Sequence, residues 1–167
     1  MSADQFLLPF EKDPEPIRQE MAEYYRHLNG DYKYKISIEP MPTPRPRFRV
    51  MTSKAGDQFV HTYNPPEYTK YKEELVWLMK DAKLGLRKAD YGKAYLEFGV
   101  SMNMTETKSK LADKTPHRKK FDLDNLCKAF FDGLQQAGII EDDRIIHGAC
   151  ARKVLTTGTG YISFNLA

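Results

Sequence analysis

Apolar and polar residues alternate without a break from Ala94 to Met104, with Ala94, Leu96, Phe98, Val100, Met102 and Met104 on one side and Tyr95, Glu97, Gly99, Ser101 and Asn103 on the other. A period of two is that of a pleated strand with one face toward a core, and the length of the run predicts a central strand. A shorter alternation, Tyr34, Ile36 and Ile38 against Lys35, Ser37 and Glu39, predicts another. Elsewhere the period is helical. After Pro65-Pro66-Glu67, a helix opening suited to the fixed φ of proline, Tyr68, Tyr71, Leu75, Leu78, Met79 and Ala82 recur on one face, which is expected to be core. Trp77 lies about one residue off that stripe and is expected to pack rather than to stack on a base. A second long helix is predicted from about Leu123 to Ala137, with Leu123, Leu126, Cys127, Phe130, Leu134 and Ala137 inward and Gly138 as its C-terminal cap. A short amphipathic helix is predicted over residues 14–28, where Ile17, Met21, Tyr24, Tyr25 and Leu28 sit between Pro16 and Gly30.

The remaining segments are punctuation. Pro40-Met41-Pro42-Thr43-Pro44-Arg45-Pro46-Arg47 cannot donate a full ladder of hydrogen bonds, so it predicts a stiff extended loop with its arginines outward. A polar stretch rich in turn residues follows, up to Pro65. Residues 105–120, polar and basic with Pro116, predict a loop. The chain is expected to end in a hairpin: Ala151 to Leu155, a turn through Gly158 and Gly160, then Ile162, Phe164 and Leu166. With no internal repeat and no linker, these elements predict an α+β fold. It is a single domain over residues 33–167, a mixed or mostly antiparallel sheet packed with two long helices, preceded by a helical extension over residues 1–32.

Composition narrows the function only a little. At 167 residues, 41% hydrophobic and 29% charged, the chain is an ordinary globular domain in which one surface must both bind and react. It has no apolar run of about 18 residues, and its start, Met1-Ser-Ala-Asp-Gln, lacks the pattern of a secretory signal, so a cytoplasmic protein with no membrane partner is expected. Cys127 and Cys150 show neither zinc-site nor disulfide spacing and are expected to be reduced filler. A net charge of +3 says less than its distribution. Arg45, Arg47, Arg49 and Lys54 form one basic run, and Lys108, Lys110, Lys114, His117, Arg118, Lys119 and Lys120 another. Basic runs beside a carboxylate group suit a protein that holds polyphosphate and a metal together; each run alone equally suits a solvated loop.

The segment with chemical content is Lys119-Lys120-Phe121-Asp122-Leu123-Asp124-Asn125-Leu126-Cys127-Lys128. Two carboxylates two apart at a helix entrance cannot both be the cap, because one N-cap side chain satisfies the free amides there. Magnesium prefers carboxylate oxygen and usually takes only one or two protein carboxylates, leaving positions for water and phosphate. A third acid is available in Glu141-Asp142-Asp143. A helix from Asp124 to Ala137 is about 20 Å long and five extended residues from Gly138 reach back about 17 Å, so Asp143 can approach Asp122. Lys128, one turn after Asp124, can bring an ammonium to the same place. The same residues also suit a pairing with the helix dipole, an acidic turn and an i,i+4 surface pair, and Asp132 suits a solvated position.

The string Asp122-Leu-Asp-Asn-Leu-Cys-Lys128-Ala-Phe-Phe-Asp132-Gly-Leu, followed by Gly138-Ile-Ile-Glu-Asp-Asp143-Arg-Ile, resembles the RusA-type crossover junction endodeoxyribonucleases, Holliday junction resolvases common in bacteriophages and prophages. So does the Pro42 to Phe48 stretch with its Arg-Pro-Arg, and His61-Thr-Tyr-Asn-Pro before the first long helix. The resemblance covers most of residues 33–166. It implies a homodimer that binds four-way DNA junctions by shape and nicks opposing strands with magnesium, in DNA recombination and repair. It implies that Asp122, Asp124 and Asp143 match the essential metal-binding acids and Lys128 the essential lysine; Asp142 matches a neighbouring acid of less defined role. The helix before residue 30 is a departure from the compact members. The expected chemistry is hydrolysis by metal-activated water on magnesium, with manganese able to substitute and no small-molecule cofactor, leaving 5′-phosphate and 3′-hydroxyl ends. Arg45, Arg47, Lys119 and Lys120 would hold backbone phosphates. Two rivals stay open: a noncatalytic DNA-binding module with capping aspartates, and a nuclease of the same chemistry acting on flaps or forks.

Overall fold

A computed structural model of the chain describes residues 22, 24–27, 29–103, 110–117 and 121–167. The strands are β1 (Tyr34–Ile36), β2 (Arg47–Thr52), β3 (Gln58–Tyr63), β4 (Lys93–Ser101), β5 (Gly148–Thr156) and β6 (Tyr161–Leu166), and the long helices α1 (Pro66–Met79) and α2 (Leu123–Gln136). Most of the helix predicted over residues 14–28 lies outside the described residues, although residues 24–27 are helical.

The main sheet is mixed, in the order β1-β6-β4-β5. β4 pairs parallel with β5 and antiparallel with β6, which also pairs antiparallel with β1. A parallel pair needs a crossover, and α2 supplies it. The C-terminal hairpin expected from the sequence therefore does not form. β5 and β6 run antiparallel, but β4 lies between them, and the short link from Thr156 to Tyr161 passes over its end: the Met102 N–H donates to the Thr156 carbonyl at 3.0 Å and the Ser101 hydroxyl to the Gly158 carbonyl at 3.1 Å. Local alternation identifies both strands but carries no information on which strand inserts between them.

One layer of the core lies between the helices and this sheet. Tyr68, Tyr71, Leu75 and Met79 of α1 and Leu126, Phe130 and Leu134 of α2 are buried with Leu96, Phe98, Ile162 and Phe164, and the Phe130 and Phe164 rings meet edge to face at 4.9 Å. α2 ends as predicted, at Gly138 with φ +74°, beyond which the Ile139 N–H returns to the Leu134 carbonyl at 3.0 Å. Trp77 does not pack as expected; it is 68% exposed on the outer face of α1. The segment between the proline loop and α1, expected to be irregular, holds β2 and β3, which pair with each other as a separate ribbon.

β4 is buried on both faces, not one. Beyond the helical side, its second face is covered by His27, whose ring lies 5.6 Å from that of Tyr95, and by the side chains of Lys114, Arg152 and Tyr161. This places Glu97 in the interior with no exposed surface. Its carboxylate accepts from Arg152 Nε at 2.7 Å and the Tyr161 hydroxyl at 2.6 Å, and pairs with the Lys114 ammonium. Tyr161 reaches it across Gly99, where a Cβ would stand 2.1 Å from the ring. Burial alone pushes the Glu97 carboxyl upward, but hydrogen bonds from Lys114 and Tyr161 and the charge of Arg152 outweigh it and hold the pKa below its ordinary 4.5.

A group with a depressed folded pKa stabilises above its unfolded value and loses that contribution as pH falls through its folded one. Urea melts of the wild type should thus weaken on acidification below about pH 4.5, and Glu97→Gln should flatten this dependence. Because Lys114 and Arg152 remain partly exposed and can be solvated, the substitution should lower stability at pH 7 by about 3 kcal/mol, the lower end of the range for breaking a buried ion pair. A melt that keeps its acid limb in Glu97→Gln would show that other carboxylates carry it.

Candidate active site

α2 opens on an unusual backbone. Phe121 has φ +60°, a left-handed conformation that costs a residue with a Cβ about 1–2 kcal/mol, and Asp122 follows in extended geometry at the N-cap. Its side chain makes no cap hydrogen bond. Asp122 and Asp124 are both exposed, the latter in the first turn, so two uncommitted carboxylates stand at the positive end of the helix dipole. Leu126, Ala129 and Phe130, all buried, fix the opposite face of the same turns. Lys128 is exposed one turn after Asp124. Cys127 is partly buried, and burial together with the charge of Asp124 pushes its thiol up to about 11, so it is not a nucleophile at neutral pH. Asp132, a further turn on, is half-buried and contributes to raising the Tyr68 hydroxyl pKa, after burial.

The proline loop is tied to this helix. The Thr43 N–H donates to the Asn125 carbonyl at 3.0 Å, and the Thr43 and Tyr68 hydroxyls meet at 3.0 Å. Exposed Arg45 and Arg47 therefore leave from the first turn of α2. Beyond them the β2–β3 register sets Arg47 opposite Tyr63 and Arg49 opposite His61, with the His61 and Tyr63 rings stacked at 6.2 Å. One ribbon face is thus basic and aromatic, and every residue on it is exposed. Arg49 was counted in a basic run and His61 and Tyr63 in the resemblance, but their meeting on one face was not read; the signal was the period of two in Arg47-Phe48-Arg49 and His61-Thr62-Tyr63. Lys119 and Lys120 lie outside the described residues.

The other predicted acid lies on a turn of 3-10 helix, Asp143–Ile145, that packs against α2. Here the two neighbours divide. The Asp142 carboxylate accepts from the Arg144 backbone N–H at 2.9 Å and from its guanidinium at 2.9 and 2.7 Å, which holds its carboxyl far below the usual range. Asp143 is exposed. Among the described residues no group of three or more His, Cys, Asp or Glu side chains is placed to hold a metal ion. The fold thus brings Asp122 and Asp124 together at one helix entrance and Asp143 onto a turn against that helix, without gathering the three into a finished cradle. The donors themselves suit a hard divalent cation: they are carboxylate oxygens, exposed, and at Asp122 not spent on a cap.

The model of the family Endodeoxyribonuclease RusA matches residues 37–161, from the end of β1 to the start of β6, including both acidic segments and the ribbon. The chain belongs to the RusA family. It is also 27% identical over 84 residues to a crossover junction endodeoxyribonuclease RusA of Aquifex aeolicus (strain VF5), a match covering 50% of this chain and 55% of that protein. The chain thus spans about half the length of the curated relative it matches. The RusA match leaves out the first 36 residues. No helix among the described residues is long and apolar enough to cross a membrane.

An N-cap that makes no bond is dispensable to folding. Asp122→Ala should therefore lower stability by only the few tenths of a kcal/mol of a helix-dipole contact, against about 1 kcal/mol for a working cap. Chemical denaturation would measure it, and a loss above 1 kcal/mol would give Asp122 a structural task.

Proposed function

We propose that this RusA-family protein is a structure-selective DNA endonuclease that hydrolyses phosphodiesters at four-way junctions, acting as a homodimer with magnesium or manganese. The observation that carries the reading is the pair of exposed, uncommitted aspartates at the entrance of α2, inside the stretch matched by the family model, with an arginine-bearing loop bonded to the same helical turn.

In this reading Asp122 and Asp124 hold the cation and Asp143 joins them from the adjoining turn. A cation bound there supplies Lewis-acid charge and a more acidic water. Lys128 places its ammonium beside the scissile phosphate and offsets the negative charge that grows as the bond breaks. Arg45, Arg47, Lys119 and Lys120 grip flanking phosphates, and Arg49 extends that grip along the ribbon. Two symmetric cuts require two such centres related by a two-fold axis, hence two copies. The name of the Aquifex relative, a crossover junction endodeoxyribonuclease, supports the junction as substrate; flap and fork cleavage is the second outcome of the same assay.

Labelled four-way junction, flap, fork and duplex DNA should be incubated with wild type and Asp124→Asn, with and without magnesium. Wild type should nick the junction only with the metal, leaving 5′-phosphate ends. Asp124→Asn, which lies inside the first turn and gives up only a contact with the helix dipole, should cleave at least about 100-fold more slowly while binding the junction unchanged. Equal cleavage by the variant, or none by wild type on any substrate, would defeat the proposal.

Junction affinity measured against salt tests the ribbon separately. Each phosphate contact adds about 0.9 to the slope of log K against log salt, so Arg47→Ala with Arg49→Ala should flatten it by roughly 2. An unchanged slope would remove the ribbon from the DNA path.

A further inference from the structure

Lys153 lies on β5, far along the chain from the acids, yet its ammonium bonds the backbone carbonyl of Phe121, the residue just before Asp122. Phe121 is the left-handed residue at which the chain turns into α2. The main chain of Lys153 holds the same turn from its other side: the His117 N–H donates to the Lys153 carbonyl at 3.1 Å, and the His117 ring stacks on that of Phe121 at 6.4 Å and 23°. The neighbouring residues add two more rungs, with Lys114 N–H to the Leu155 carbonyl at 2.9 Å and Leu155 N–H to the Thr115 carbonyl at 2.8 Å. One residue of β5 therefore grips the segment on both sides of residues 118–120 and fixes the direction in which the chain enters α2.

We propose that Lys153 is a positioning residue for the aspartate pair: by holding the Phe121 carbonyl it keeps the residue in its left-handed conformation and sets where Asp122 and Asp124 project. The inference rests on the reading of the α2 entrance as the catalytic site. A left-handed residue with a Cβ persists only where its surroundings over-determine it, and the Lys153 ammonium is the polar contact made to it from outside its own segment among the described residues. Lys153 touches no reacting atom in this role. Without it the first turn of α2 can relax toward an ordinary entry, and the two carboxylates lose their fixed separation.

Lys153→Met keeps the length of the side chain and removes the bond, Lys153→Arg can restore it, and Tyr161→Phe serves as a control that weakens the Glu97 cluster elsewhere in the same sheet. In Lys153→Met, kcat on a four-way junction should fall at least tenfold with KM and junction affinity within twofold of wild type, and the magnesium concentration for half-maximal rate should rise. Lys153→Arg should recover most of kcat. Hydrogen exchange should quicken at the amides of Leu126 and Cys127 in Lys153→Met and stay unchanged in Tyr161→Phe, although the latter lowers Tm. A folded Lys153→Met with wild-type kcat and exchange, or one whose losses match those of Tyr161→Phe, would overturn the proposal. If wild type cleaves no branched DNA, the catalytic reading fails by itself, and exchange in the first turn of α2 still decides whether Lys153 holds it: unchanged exchange rejects the clamp.

Discussion

A parallel pair of strands cannot be closed by a tight turn, and the placement of the acids follows from that restriction. Once β4 and β5 lie side by side, the chain between them must travel back over the sheet, and α2 is that return path. The two ends of the helix are pinned at different levels of the sheet. Its entrance lies at Lys153, level with Phe98, while just beyond its exit the Ile139 carbonyl accepts from the Ala89 N–H at 3.2 Å, near the start of β4. Fourteen helical residues span about 21 Å between them, and buried Leu126, Phe130 and Leu134 prevent the helix from rolling. The aspartates are therefore held by the topology of the sheet, even though they stand in solvent.

The acids of this chain differ in what already neutralises them. Glu97 is interior and answered by two cations and a hydroxyl, so it stabilises the sheet and has no charge left for a ligand. Asp142 is spent on its own turn through Arg144, and Asp81 likewise caps the turn at Ala82–Leu84. Asp122 is different, because it occupies a capping position without capping. A carboxylate that neither caps its helix nor pairs with a cation of the protein keeps its charge for an added one, which must outweigh the positive end of the helix dipole. Among the three consecutive acids the resemblance singled out Asp143, and the structure shows its neighbour Asp142 engaged by Arg144.

What could be read from the chain was whatever depends on neighbours in sequence. Tyr68, Tyr71, Leu75 and Met79 gave α1, Leu126, Phe130 and Leu134 gave α2, and the alternation in β4 and β6 gave strands. The Asp122 to Lys128 string stood out because one of two carboxylates had no capping task. The misreadings all concern what lies across space. Nothing local says that β4 separates β5 from β6, or that the polar side of β4 is covered as well, and so Glu97 was set on the side away from the core when it is buried and bonded to two cations and a hydroxyl. Trp77, off the stripe, was expected to pack, but the buried stripe of α1 is filled without it. The ribbon was hidden because a strand whose two faces are both wet lacks the contrast by which strands are recognised.

That ribbon is also the element the fold supports least. Its six cross-strand pairs contribute about 0.2–1 kcal/mol each, whereas ordering a residue costs about 1–2 kcal/mol, and two-stranded hairpins are marginal alone. Phe48, Val50 and Val60 stay 63–69% exposed on the face opposite Arg47 and Arg49, so little apolar burial offsets the deficit. The ribbon is anchored at its roots, through Thr43 on α2 and through Pro65 at the start of α1, where the Tyr68 and Thr69 amides bond the Pro65 carbonyl. An element with fixed roots and a weakly held body can adapt to a substrate of irregular shape without disturbing the helix that carries the acids. The rigid and the yielding parts of the surface thus meet at the single turn of α2 that Thr43 and Asn125 share.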